Sequence, residues 1–211
     1  MEESFFPGWV PQENPYRLVA LDIGNTLIQQ YRPGLYRTLG LPEDGSGVDL
    51  GVEPFCPAFQ QFLEGRISQE EYLEDFCRRF PGRWTKEQIR LAHEEYLRPA
   101  LPGMPELIHK MADTGSHFVF FTDINTIHFP RFRQLTKGIF DFIQDAIRSD
   151  EVHALKPSPA MFLAFEERYG KPDLYLDDRA DLIQGARQWG WNAVQAGDAR
   201  RLKAVLFPAD K

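Results

Sequence analysis

Apolar positions along the chain follow two rhythms. Short continuous runs occur at RLVALD (17–22), HFVFFTD (117–123), FIQDAIRSD (142–150), DLYLDD (173–178) and WNAVQA (191–196), and each is expected to form a buried strand. Between most of them the spacing turns helical. Residues 103–114 place Leu107, Ile108 and Met111 on one face, 159–169 do the same with Phe162, Phe165 and Tyr169, and 179–189 with Leu182, Ile183 and Ala186. Ser158 followed by Pro159 is a favourable helix entry. Strands alternating with helices predict a parallel sheet.

The interval between the first two strands differs, being about ninety residues long and mostly helical in pattern. Phe55, Phe59, Phe62 and Leu63 mark one helix (53–64), Tyr72, Leu73, Phe76, Cys77 and Phe80 a second (69–80), and Ile89, Ala92 and Tyr96 a third (86–97). Ser68 with Glu71 and Thr85 with Gln88 are capping boxes. The expected fold class is therefore α/β, a Rossmann-like parallel sheet core (16–30 and 101–211) with an inserted helical cap (31–100) and an N-terminal arm (1–15). Ligands of open α/β sheets bind at the carboxyl ends of the strands, and the inserted helices read as a lid over that edge. Pro7, Pro11 and Pro15 interrupt an acidic start that lacks the pattern of a signal peptide, so the arm is expected to be loosely held.

Composition narrows the partners. Hydrophobic residues make up 43% and charged residues 26%, ordinary for a globular protein. With 24 basic against 31 acidic residues and no basic cluster, nucleic acid is not expected as a partner. No apolar run is long enough to span a bilayer, so no membrane is expected either. Cys56 and Cys77 lie in apolar helical patterns and read as buried thiols, which suits the cytoplasm.

The strand ends carry the chemistry. The first run closes on Asp22, the second on Thr122 and Asp123, and the fourth on Asp177 and Asp178, while Lys156 lies in ALKPSP before a helix. Each alone has an ordinary reading as a turn, cap or surface residue. In a parallel sheet they converge on one crevice, where carboxylates repel unless a cation neutralises them, and all-oxygen ligation suits Mg²⁺. An amine and a hydroxyl beside that cation outline a phosphoryl-transfer site.

The motifs LDIGNT, FFTDIN with Thr122, LKPSP with Lys156 and YLDDRADLIQGARQWGW from Tyr175 resemble those of the haloacid dehalogenase superfamily of phosphohydrolases, over nearly the whole chain from about residue 16. DIGNTLI, TDINTIH and LEGRISQEEY are most similar to the α-D-glucose-1-phosphate phosphatase branch, related to the phosphatase domain of soluble epoxide hydrolase. The resemblance implies a Mg²⁺-dependent hydrolase of a small phosphorylated metabolite, a sugar phosphate, acting through an aspartyl-phosphate. Asp22 would be the nucleophile, Thr122 would hydrogen-bond the phosphoryl group and Lys156 would hold its charge. Asp22, the Gly24 carbonyl and Asp178 would bind the metal, with Asp177 as a ligand or just behind one. Asp123 stands where the family often has asparagine, and its added charge would hurt if its side chain faced the phosphate.

Gly24 occupies the position at which most of the superfamily carries a second, acid-base aspartate. Its loss costs about 10² to 10⁴ in rate, which slows a phosphatase without abolishing it. Asn125 and His128 are the candidates near the substrate, His128 as a substitute proton donor. A packed histidine at the start of a helix is the competing reading. Three alternatives stay open: a weak or inactive phosphatase-fold binding protein, a 2-haloacid dehalogenase, and a phosphonate hydrolase, which needs a cap lysine that only Lys86 supplies. Tyr31, Arg32, Arg66 and Trp84 are candidate cap residues facing the substrate.

Overall fold

The computed structural model describes residues 4–50 and 56–208. Strand β1 (Leu18–Leu21) leads to β2 (Ile28–Gln30) and then to helices α1 (Arg32–Thr38), α2 (Pro57–Leu63), α3 (Gln69–Arg79) and α4 (Lys86–Glu95), after which β3 (Leu97–Ala100) returns the chain. There follow α5 (Met104–Asp113), β4 (His117–Thr122), α6 (His128–Leu135), β5 (Ala146–Arg148), α7 (Ser149–Val152), α8 (Pro159–Tyr169), β6 (Leu174–Asp177), α9 (Ala180–Trp189), β7 (Ala193–Gln195) and α10 (Ala199–Leu206).

The main sheet has the order β5-β4-β1-β6-β7, and every neighbouring pair is parallel. The chain starts in the middle, builds outward on one side and then crosses to the other. The order therefore reverses beside β1, and a crevice opens at the carboxyl ends of β1 and β6. Val19, Ala20 and Leu21 are wholly buried, as a central parallel strand covered on both faces must be. This is the α/β, Rossmann-like core expected from the apolar runs.

The two crossings into the helical insertion pair with each other as an antiparallel ribbon, Ile28 opposite Ala100 and Gln30 opposite Leu97. That ribbon explains one difference from the sequence pattern: the helix expected to reach residue 97 stops at Glu95, because the next residues extend to pair with β2. Both capping boxes form, at Ser68 and Thr85. Inside the insertion Tyr72 stacks on Phe62 at 4.7 Å between ring centres. Helix α1, which the periodicity did not mark, lies so close to α4 that a Cβ on Gly34 would fall 2.2 Å from the Glu95 carbonyl oxygen. Helix α2 begins at Pro57, and Phe55 lies outside the described residues.

The run 142–150 yields only the three residues of β5, residues 142–145 being turn and irregular backbone and Ser149 and Asp150 opening α7. Residues 4–15 are packed rather than loosely held. The Glu106 carboxylate accepts from the hydroxyl of Ser4 (2.8 Å) and the backbone N–H groups of Phe5 (2.6 Å) and Phe6 (3.2 Å). Phe6 is buried, Trp9 meets Phe207, and the Asn14 amide donates to Met111 O at 3.1 Å. The prolines remove regular structure, but the aromatic side chains between them supply the apolar area that docks the segment. No helix among the described residues is long and apolar enough to cross a membrane.

Candidate active site

Strand β1 delivers Asp22, whose N–H donates to Leu176 O on β6 at 2.9 Å. One residue on, the chain turns tightly: Leu27 and Ile28 both donate to Ile23 O, and Asn25 takes the left-handed φ of 49° that asparagine tolerates. Strand β6 delivers Asp177 as its last residue, with Asp178 next. Lys156 enters from the loop before α8 and is buried.

Its ammonium has three protons, and all three are used. Lys156 Nζ donates to Asp22 Oδ1 (2.7 Å), to Asp177 Oδ2 (2.7 Å) and to Phe121 O (3.1 Å). Asp177 is held in turn, since Oδ2 also accepts from the Tyr175 hydroxyl and Oδ1 accepts from Arg179 N at 2.9 Å. Asp22 gives Lys156 only Oδ1. One carboxylate oxygen each from Asp22, Asp177 and Asp178 lie within 4.8 Å of one another.

This cluster is short of positive charge. Burial pushes the Asp22 carboxyl up to about 7; Lys156 opposes the rise, while Asp177 and Asp178 add to it. Burial likewise raises Asp123 to about 6 against the pull of Lys156, and raises Asp178, with Asp177 adding to it. For Lys156, burial favours the neutral amine, yet Asp177 and Asp22 hold the ammonium well above its ordinary range. Carboxylates packed around one buried ammonium form a site that a divalent cation with oxygen preference would complete. Asp177 is also held by Lys156, Tyr175 and Arg179 N, so Asp22 and Asp178 are the carboxylates offered most directly to such a cation, with Asp177 as a further ligand or just behind one.

The remaining expected site residues separate. Asp123 lines the cleft, and its Oδ1 accepts from Lys156 N at 3.0 Å, so the backbone of the lysine loop takes up part of its charge. Gly24 and His128 also line the cleft. Thr122 ends β4 as a buried residue and does not line it. Asn125 is buried and does not line it either, with Oδ1 accepting from Ile127 N (3.0 Å) and His128 N (2.9 Å) at the entry to α6 and Nδ2 donating to His128 Nδ1 (3.3 Å). Burial drives His128 down to about 4, so its imidazole is neutral at pH 7, and its ring stacks on Tyr96.

The cleft is about 1140 Å³, and its far wall comes from the insertion through Tyr31, Arg32, Tyr36, Glu43, Asp44 and Phe59. Arg66 and Trp84, expected there, lie elsewhere. Arg66 pairs with Glu64 and donates to His153 O, and the Trp84 indole donates to Leu39 O at 2.8 Å while packing on Phe80. Lys86 pairs with Glu70 and Glu74 and is not part of the cleft, which removes the lysine that phosphonate chemistry required. The pattern missed Tyr175, although its place two residues before Asp177 puts it on the same strand face. Gln30 and Tyr96 were missed too, and neither carries a signal in the sequence.

No family model matches the sequence. Among solved structures, the chain is similar to a HAD-family enzyme from Bacteroides thetaiotaomicron in complex with magnesium and inorganic phosphate, at 19% identity and a TM-score of 0.73, over 87% of this chain and 96% of that one. A hydrolase from Streptococcus pneumoniae aligns at 18% identity and 0.57, over 90% and 98%. L-2-haloacid dehalogenase from Xanthobacter autotrophicus, with chloropropionic acid covalently bound, aligns at 14% and 0.62, over 90% and 82%. The chain has the fold of the HAD-family hydrolases.

Proposed function

We propose that the chain is a magnesium-dependent phosphohydrolase of a small phosphorylated metabolite, a sugar phosphate, with Asp22 as the nucleophile. The observation that carries this reading is the Lys156 ammonium clamped between Asp22 and Asp177, with Asp178 in the same cluster. The Bacteroides thetaiotaomicron structure of similar fold holds magnesium and phosphate. In this chain Asp22, Asp178 and the Gly24 carbonyl would hold Mg²⁺, which when bound supplies charge neutralisation for the acidic cluster and for the phosphoryl oxygens.

Lys156 fixes the orientation of Asp22 and offsets charge on the incoming phosphoryl group. The Asp22 carboxylate bonds to phosphorus as the phosphorus–oxygen bond to the leaving group breaks, and water then attacks phosphorus to free both phosphate and the carboxylate. One hard displacement becomes two easier ones. Tyr175 and Arg179 N hold Asp177, and Asp177 holds Lys156. Thr122 hydrogen-bonds the phosphoryl group only if it turns out of the β4 core. The neutral His128 is an unprotonated wall of the cleft, not a proton source at pH 7. Segment 31–100 acts as the cap and faces the sugar with Tyr31 and Tyr36. The free thiols of Cys56 and Cys77, half-buried rather than buried, support placement in the cytoplasm.

A dehalogenase reading is favoured by the Xanthobacter autotrophicus structure alone. Against it, the acidic cluster would repel the carboxylate of a haloacid. The test is phosphate release from p-nitrophenyl phosphate and a panel of sugar phosphates, with and without Mg²⁺. We expect metal-dependent release, greatest on a sugar phosphate, falling by at least about 10⁴-fold in Asp22→Asn. Release that survives Asp22→Asn, or metal-independent halide release from 2-chloropropionate, would overturn the assignment.

A further inference from the structure

Asp22 attacks in line, so the leaving group departs toward the wall opposite the carboxylate, the wall built by the insertion and its β2–β3 stem. There Gln30 comes close to Gly24: a Cβ on Gly24 would fall 2.3 Å from Gln30 Nε2. The amide occupies the space that any side chain at position 24 would need.

Its orientation is determined by a backbone donor. Gln30 N–H donates to Asn25 Oδ1 at 2.9 Å, which turns Asn25 Nδ2 outward to donate to Gln30 Oε1 at 3.3 Å. The Tyr96 hydroxyl donates to the same Oε1 at 3.1 Å. With the oxygen so held, the Gln30 NH₂ faces Gly24 and the cleft, and no described residue accepts from it. Tyr96 is itself held, its ring stacked on His128 and its carbonyl accepting from Tyr31 N at 2.6 Å.

We propose that Gln30 is a catalytic residue whose side-chain N–H hydrogen-bonds the leaving-group oxygen as its bond to phosphorus breaks. This rests on the phosphohydrolase reading. No proton leaves the amide: the departing oxygen carries its charge against the N–H and takes its proton from water. The site thereby handles leaving groups without an acid at position 24, and glycine there is required to admit the amide.

The test compares Gln30→Met, which keeps volume and loses the donor, with wild type on p-nitrophenyl phosphate and glycerol 3-phosphate in saturating Mg²⁺. A donor to a developing oxyanion is worth about 10²-fold. Because an alkyl alkoxide needs it more than nitrophenolate, the ratio of kcat/KM for the aryl over the alkyl ester should rise about 10- to 100-fold. An equal fall on both esters would show a structural role and overturn the proposal, as would no fall on either. Gly24→Ala supplies a second readout, because displacing the amide should reproduce the same change in ratio. A wild-type protein inactive on every phosphate ester, with or without Mg²⁺, removes the phosphohydrolase reading and this proposal with it; an active wild type with an unchanged ratio removes only the latter.

Discussion

The two walls of the cleft are built on different principles. The core wall concentrates buried charge: Asp22, Asp177 and Lys156 are each under a tenth exposed, and both carboxylates accept from Lys156 Nζ at 2.7 Å. The insertion wall, apart from Arg32 and the acidic pair Glu43 and Asp44, offers aromatic rings and a neutral amide. Charge that is buried must be placed with care, because an unpaired carboxylate or ammonium costs several kcal/mol. Neutral hydrogen-bonding groups tolerate rearrangement. On the proposed reading the covalent chemistry falls to the first wall, and recognition, together with the Gln30 hydrogen bond to the leaving group, to the second.

Lys156→Met tests the core wall most severely. It leaves Asp22 and Asp177 facing each other without an ammonium, and we expect a loss of about 3–5 kcal/mol in chemical denaturation at pH 7. The loss should shrink as pH falls, because the Asp22 carboxyl, already raised to about 7, becomes neutral in the folded state and no longer faces Asp177 as a charge. A stability loss independent of pH would show that Lys156 serves packing instead.

Metal affinity gives a second, smaller effect. The Asp22 carboxyl is raised to about 7 in the cation-free protein, so below that pH a cation must displace its proton. Isothermal titration with Mg²⁺ between pH 5.5 and 8.5 should show affinity weakening toward about tenfold per pH unit below 7 and levelling above about 8. A flat profile would remove Asp22 from the ligand set. On the opposite wall, Tyr31→Ala should raise KM for a sugar phosphate about fivefold, the worth of one lost aromatic contact, and change kcat less. A larger effect on kcat than on KM would break the division of labour between the walls.

The same division decided what was legible in the sequence. Asp22, Asp123 and Asp177 each close an apolar run, and alternating strands and helices imply that such ends converge, so the core wall could be read before any coordinates. Tyr175 was within reach of the same reasoning. The insertion wall was not. Gln30 and Tyr96 meet only because β2 and β3 pair across an interval of about seventy residues, and neither residue type signals a site. Trp84 shows the converse: an aromatic in a helical block looked available for stacking but packs inside the insertion. The N-terminal segment misled for a related reason, since prolines exclude helix without excluding the burial of Phe6.

The account depends on covalent bonding between Asp22 and phosphorus. Mixing the protein with p-nitrophenyl phosphate and Mg²⁺, quenching in acid within a turnover, reducing with borohydride and sequencing the peptides by mass spectrometry tests this directly. The expected result is conversion of Asp22 to homoserine in wild type and at no site in Asp22→Asn. Steady turnover with Asp22 unmodified, or reduction at Asp178 instead, would contradict it.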